Sequence, residues 1–140
     1  MREILFRGKR IDNGKWIEGY YCKYETTIIG GGVQEHHMIV PYYASSLYGF
    51  EVDPSTIGQY TGLTDKNGKK IFEGDIIQEK LEDAPELLYM VMFKEGSFLA
   101  KCVSIDNEDI YLDDFLLYGE FEGIVIGNIH DLPELMEDKP

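Results

Sequence analysis

The chain has 140 residues, is 44% hydrophobic and carries 10 Tyr, 7 Phe and a single Trp, enough apolar material to exclude a disordered polypeptide and to build one ordinary domain. The net charge is −13 and unevenly placed: residues 1–70 hold nine basic against eight acidic side chains, net +1, and residues 71–140 hold four against 18, net −14. The second half would repel a polyphosphate backbone, which disfavours direct nucleic-acid binding through it.

Residues 2–7 read as a first strand, with Ile4 and Phe6 on one face and Glu3, Leu5 and Arg7 on the other. Asp12-Asn13-Gly14 follows, and Asn-Gly supplies the positive φ angles of a tight hairpin turn. From Lys15 to Tyr24 the pattern alternates: Trp16, Glu18, Tyr20, Cys22 and Tyr24 on one side, Ile17, Gly19, Tyr21 and Lys23 on the other. Period two with aromatic enrichment predicts a strand. Gly30-Gly31-Gly32 is a break without the Gly-Lys-Ser/Thr of a phosphate loop. Residues 37–43 read as another strand, ending near Pro41, and Asp53-Pro54-Ser55 as a turn or single helical turn.

The densest signal runs from Gly58-Gln59-Tyr60-Thr61-Gly62-Leu63 through a second Asn-Gly, Asn67-Gly68, to Ile71, Phe72, Ile76 and Ile77. It predicts a hairpin or broad turn feeding a core strand. Residues 79–86 are acidic and contain Pro85, a loop; residues 87–93 are apolar throughout and read as a strand buried on both faces. Glu95-Gly96 turns the chain into a strand over residues 97–105. Leu112, Phe115 and Leu116, with Asp113 and Asp114 early, predict a short helix over residues 111–118 ended by Gly119. Residues 123–129 form a last strand, and Asp131-Leu132-Pro133-Glu134-Leu135 one more helical turn. The fold class is therefore mostly β, a small β-barrel or sandwich with short C-terminal helical turns. The chain reads as one domain over 1–140, or as two small β subdomains (about 1–56 and 57–140) sharing a core.

Three segments taken together are similar to the YopX family of phage and prophage proteins. They are Met1-Arg2-Glu3-Ile4-Leu5-Phe6-Arg7-Gly8-Lys9-Arg10, the stretch from Gly58 to Ile77 around Thr64-Asp65-Lys66-Asn67-Gly68, and Val125-Ile126-Gly127-Asn128-Ile129 followed by Pro133-Glu134-Leu135. The resemblance spans nearly the whole chain and is most specific in the middle segment. It implies a small mostly-β protein with SH3-like barrel elements from a temperate-phage genome, and it carries over no catalytic residue and no cofactor. The shared motif is rich in Gly, Asn and Asp, the residue types that turns require.

Candidate chemistry is sparse. His36-His37 invites a metal reading, but neighbours on a strand point to opposite faces and cannot easily share an ion. His130 beside Asp131 suggests a local hydrogen bond. Asp106, Glu108, Asp109, Asp113 and Asp114 lack the spacing of a calcium loop, with Tyr111 where such a loop needs Gly. Together with Glu120 and Glu122 these acids form a candidate interaction surface, or a solvated acidic loop. Asp75 has no paired base or oxyanion donor and reads as a residue bonding its own backbone. Ser45, Ser46 and Ser104 lack a nucleophile frame. Tyr20, Tyr21, Tyr24, Tyr42 and Tyr43 read as core or interface packing. Base stacking on them would want cations, and Lys23 is the one basic residue between Lys15 and Lys66. Cys22 and Cys102 form no CxxC pair and read as small buried hydrophobes in a reducing compartment.

The opening residues carry charge too early, and an apolar run too short, for a secretory signal, and no run nears the roughly 20 apolar residues of a membrane span. The expectation is a cytoplasmic phage or prophage accessory protein in a bacterial host cell. It would be a protein-interaction module without catalysis, metal or cofactor, working through a protein partner or as a homo-oligomer. The alternatives are an acidic decoy that imitates DNA charge and occupies a nucleic-acid-binding host protein, and an enzyme of unrecognised type.

Overall fold

A computed structural model describes residues 3–42, 48–80, 86–103, 109–111 and 123–136. The chain is mostly β and divides into two compact units, Met1–Tyr60 and Thr61–Pro140.

The first unit is an antiparallel sheet in the order β4-β3-β2-β1-β5. Its strands are β1 (Phe6–Lys9), β2 (Trp16–Thr27), β3 (Val33–Pro41), β4 (Phe50–Glu51) and the first half of β5 (Gly58–Thr64). Asn13-Gly14 makes the β1–β2 turn: Gly14 has φ +69°, and the Asn13 side chain accepts the Lys15 N–H at 2.9 Å. That turn sets Lys9 opposite Trp16 and Phe6 opposite Gly19. The first strand begins at Phe6 rather than Arg2, but the alternation holds: Leu5 and Arg7 are buried and Ile4 is exposed. Ile17, Ile39 and Val52 form the core of this unit, with Phe6, Tyr21, Phe50 and Ile57 against it. Gly19 is required where β2 passes β3, because a Cβ there would collide with the Val40 carbonyl. Asp53 caps the 3-10 turn Pro54–Thr56 by accepting the Ser55 N–H at 3.0 Å, and Thr56 Oγ1 accepts the Lys9 N–H at 2.9 Å.

β2 and β3 outrun their neighbours. β1 covers β2 only from Trp16 to Gly19, while β3 pairs with β2 from Gly19 to Thr27. β4 in turn pairs only with Met38 and Ile39. The remainder is a two-stranded ribbon closed by Gly30-Gly31-Gly32, whose φ values are +99°, +119° and +89°. The glycine break is thus a hairpin tip.

The second unit contains the rest of β5, β6 (Lys70–Phe72), and a five-stranded antiparallel sheet in the order β10-β9-β8-β7-β11. Those strands are β7 (Asp75–Glu79), β8 (Leu87–Lys94), β9 (Ser97–Cys102), β10 (Asp109–Tyr111) and β11 (Ile124–Asn128). Ile71, Ile77, Tyr89, Val91, Ala100 and Cys102 make its core, joined by Leu63, Leu87, Phe98 and Val125. Glu95 and Gly96, both at positive φ, close the two-residue β8–β9 hairpin. A bulge between Val125 and Gly127 interrupts the β11–β7 ladder. Pro133–Met136 is a 3-10 turn, as expected for the tail.

Three expectations need correction. Neither sheet closes into a barrel among the described residues: each runs open from edge to edge. β8 is not buried on both faces: Tyr89 and Val91 are buried, Leu88, Met90 and Met92 half-buried, and Phe93 is 48% exposed. The strand expected over residues 37–43 begins earlier, at Val33. The helix expected over residues 111–118 lies outside the described residues apart from Tyr111, which ends β10.

Candidate functional site

The polar residues of the sequence motif are engaged in architecture. Asp65 is 7% exposed; its Oδ1 accepts the N–H groups of Asn67 and Lys69 at 2.9 and 2.8 Å, and its Oδ2 accepts that of Val125 at 2.9 Å. Burial pushes this carboxyl upward, but the backbone donors of Val125, Lys69 and Asn67 outweigh it and hold the pKa below the usual Asp value. One side chain thus ties the Asn67-Gly68 turn to β11. Asp75, 1% exposed, accepts the Phe72 N–H at 2.8 Å across the Glu73-Gly74 turn, the backbone role expected of it. Asn128 Oδ1 accepts the N–H groups of His130 and Asp131 at 3.0 and 2.9 Å, and its amide donates to Asp131 Oδ2 at 3.0 Å.

The two histidines sit on opposite faces of the ribbon. His36 stacks on Tyr24, ring centroids 4.7 Å apart, and its nitrogens meet Thr26 Oγ1 at 2.8 Å and Glu51 Oε1 at 2.6 Å. On the other face, His37 Nδ1 meets Tyr21 Oη at 2.6 Å, and Nε2 lies 3.5 Å from Glu35. Lys23 Nζ lies 3.0 Å from Glu35. That bond raises the lysine pKa, and the ammonium beside Glu35 lowers the carboxylate's. Each ring thus has polar neighbours at both nitrogens. Among the described residues no group of three or more His, Cys, Asp or Glu is placed to hold a metal ion.

The same face as His36 carries Trp16, Tyr20, Cys22 and Tyr24. The tyrosines do not pack as a set: Tyr21 lies on the first unit's core, whereas Tyr20, Tyr24 and Tyr42 are 56, 45 and 45% exposed. Tyr43 lies outside the described residues. Cys22 is exposed and only Cys102 is buried, which corrects the reading of both as interior residues. The physical reason is the ribbon itself: past Gly19 the face of β2 that carries Tyr20, Cys22 and Tyr24 is exposed, while Tyr21 on the other face packs on the core. Sequence reasoning also missed the cations near these rings: the Arg7 guanidinium lies 4.7 Å and the Lys9 ammonium 5.5 Å from the Trp16 centroid. The β1–β2 register, readable from the Asn13-Gly14 turn, would have found them. At the ribbon tip Ile28 is 46%, Val33 57% and Ile29 wholly exposed.

Of the candidate acidic surface, Asp106, Glu108, Asp113, Asp114, Glu120 and Glu122 lie outside the described residues. Asp109 sits in β10 at the register position opposite Lys101. Among the described residues no helix is long and apolar enough to cross a membrane.

Residues 5–137 match the YopX protein family. The chain belongs to the YopX family. No match was found among curated proteins. Among solved structures, this YopX chain is similar to the crystal structure of protein EF1440 from Enterococcus faecalis, at 22% identity and a TM-score of 0.55, over 98% of this chain and 100% of that one. The likeness is one of fold. The YopX segment around Asp65 and Asp75 coincides with turns whose carboxylates bind backbone N–H groups.

Proposed function

We propose that this YopX chain is a protein-interaction module without catalysis, an accessory protein of a phage or prophage that acts in the bacterial cytoplasm through its β2–β3 ribbon. The observation that carries the reading is the contrast in where side chains point. The motif residues with catalytic potential face into turns, while Tyr20, Tyr24, Ile28, Ile29 and Val33 are presented to solvent on a ribbon. Exposed aromatic and aliphatic groups on such a ribbon are characteristic of interaction surfaces. The phage origin is what the resemblance to the YopX family implies.

Affinity capture from host lysate, with and without nuclease, tests the proposal. The bait is the full chain, compared with an Ile29→Asp/Tyr24→Ser variant. A protein retained by the wild type after nuclease and lost by the variant supports it. Capture that disappears with nuclease, or that ignores the ribbon substitutions, overturns it.

A further inference from the structure

The ribbon has a polar edge as well as an apolar face. Ile28 N–H donates to Gly32 O at 3.0 Å, and residues 28 and 32 continue the β2–β3 register. Alternation along β2 then turns the backbone groups of Tyr20, Cys22, Tyr24 and Thr26 toward β3, and those of Tyr21, Lys23, Glu25 and Thr27 outward. Among the described residues no strand pairs with that outward edge beyond Gly19. Such an edge is a template for another strand. β3 offers a shorter one, because β4 and the Val52 N–H bond to His37 O take up its base.

We infer that the edge of β2 pairs, antiparallel and about a twofold axis at Tyr24, with β2 of a second copy of this chain. The inference rests on the ribbon being the interaction element and names its occupant. A symmetric antiparallel pair must set one residue opposite its own equivalent, with the residues flanking it opposite each other's. A dyad at Lys23 opposes two lysines and runs Thr27 into the stretch already bonded to β1. A dyad at Glu25 opposes two glutamates and shortens the ladder. With the dyad at Tyr24, Lys23 meets Glu25 of the copy, Tyr21 meets Thr27, and the ladder starts just beyond the last residue β1 covers, giving about eight backbone hydrogen bonds. On the opposite face the same register sets Tyr24 against Tyr24 and Tyr20 against Ile28, covering three of the exposed apolar side chains.

Charge argues for the same alignment. Glu25 stands opposite Glu35 in the β2–β3 register, a like-charge pair, and Lys23 is already 3.0 Å from Glu35. Among the described residues Glu25 has no cation within 4 Å, and Lys23 of its own strand acts on it only at longer range. The copy's Lys23 would supply it with a cation, and Lys23 has three donors to share between Glu35 and the copy's Glu25.

Sedimentation velocity over a range of concentrations of the full chain tests this. The wild type is expected to dimerise. Lys23→Glu and Glu25→Lys singly should each weaken the dimer by about tenfold or more, and the double exchange Lys23→Glu/Glu25→Lys should restore it to within about threefold. The restoration separates pairing from a folding defect. As a second arm, Tyr24→Cys in a Cys22→Ser background should form a disulfide-linked dimer on mild oxidation, since the two Cβ atoms at the dyad would be about 5 Å apart. A wild type that stays monomeric throughout, or a dimer indifferent to the charge exchange and without the disulfide, overturns the inference. Lysate capture through the ribbon would survive that outcome and leave the proposed function standing.

Discussion

Two regions of this chain handle polar groups in opposite ways. In the β2–β3 ribbon, Thr26 with His36 and Lys23 with Glu35 bond across strands at the surface, where water competes for the contacts. In the second unit, Asp65 and Asp75 are withdrawn from water and bond to backbone N–H groups that have few other partners. The same chemistry therefore has different energetic weight. An exposed pair contributes a fraction of a kcal/mol, whereas removing a buried acceptor leaves donors unsatisfied. The first arrangement leaves a surface free to bind, and the second holds a fold in register.

Substitutions should make that contrast measurable. The largest loss is expected at the second core: Ile77→Ala, at a residue 1% exposed, should cost about 3 kcal/mol in urea denaturation. Asp65→Ala, which strands three N–H donors, should cost about 2 kcal/mol. Because the folded Asp65 pKa lies below its unfolded value, its contribution is present above the ordinary Asp range and lost as pH falls through the folded pKa. The variant should accordingly show a shallower acid limb than the wild type. Equal acid limbs would refute the linchpin role.

Tyr89 sharpens the comparison at the alkaline end. Burial in the second core, with the charge of Glu79, pushes its hydroxyl to about 12. The folded pKa is raised, so its contribution is complete below pH 10 and declines between about 10 and 12. Tyr89→Phe should flatten stability across that window, followed by circular dichroism against pH. The smallest effect belongs to the ribbon, where His36→Ala should change unfolding free energy by under about 1 kcal/mol. A loss of several kcal/mol there would mean the ribbon is part of the folding core and not an appendage.

Much of this was legible in the sequence, for identifiable reasons. Asn13-Gly14, Asn67-Gly68 and Glu95-Gly96 mark real hairpins because positive φ restricts residue choice so strongly. The Trp16 to Tyr24 alternation gave the correct faces of β2. It could not reveal that β1 begins only at Phe6, opposite Gly19, so Cys22 and Tyr24 looked like interior residues. β8 was misread because Leu87, Leu88, Met90, Met92 and Phe93 give no polar period, although only alternate positions are buried. The Glu51 partner of His36 comes from β4, 15 positions away, and no local pattern could supply it. The acidic surface was legible only as charge, without a geometry.

The two thiols offer a way to watch the units separately. Cys22 stands on an exposed face of the first, and Cys102 is enclosed with Ile77, Tyr89 and Val91 in the second. An alkylating reagent would therefore label the former on mixing and the latter only when the second core opens. The slow phase becomes a clock for local unfolding of one half of the molecule while the other stays chemically silent.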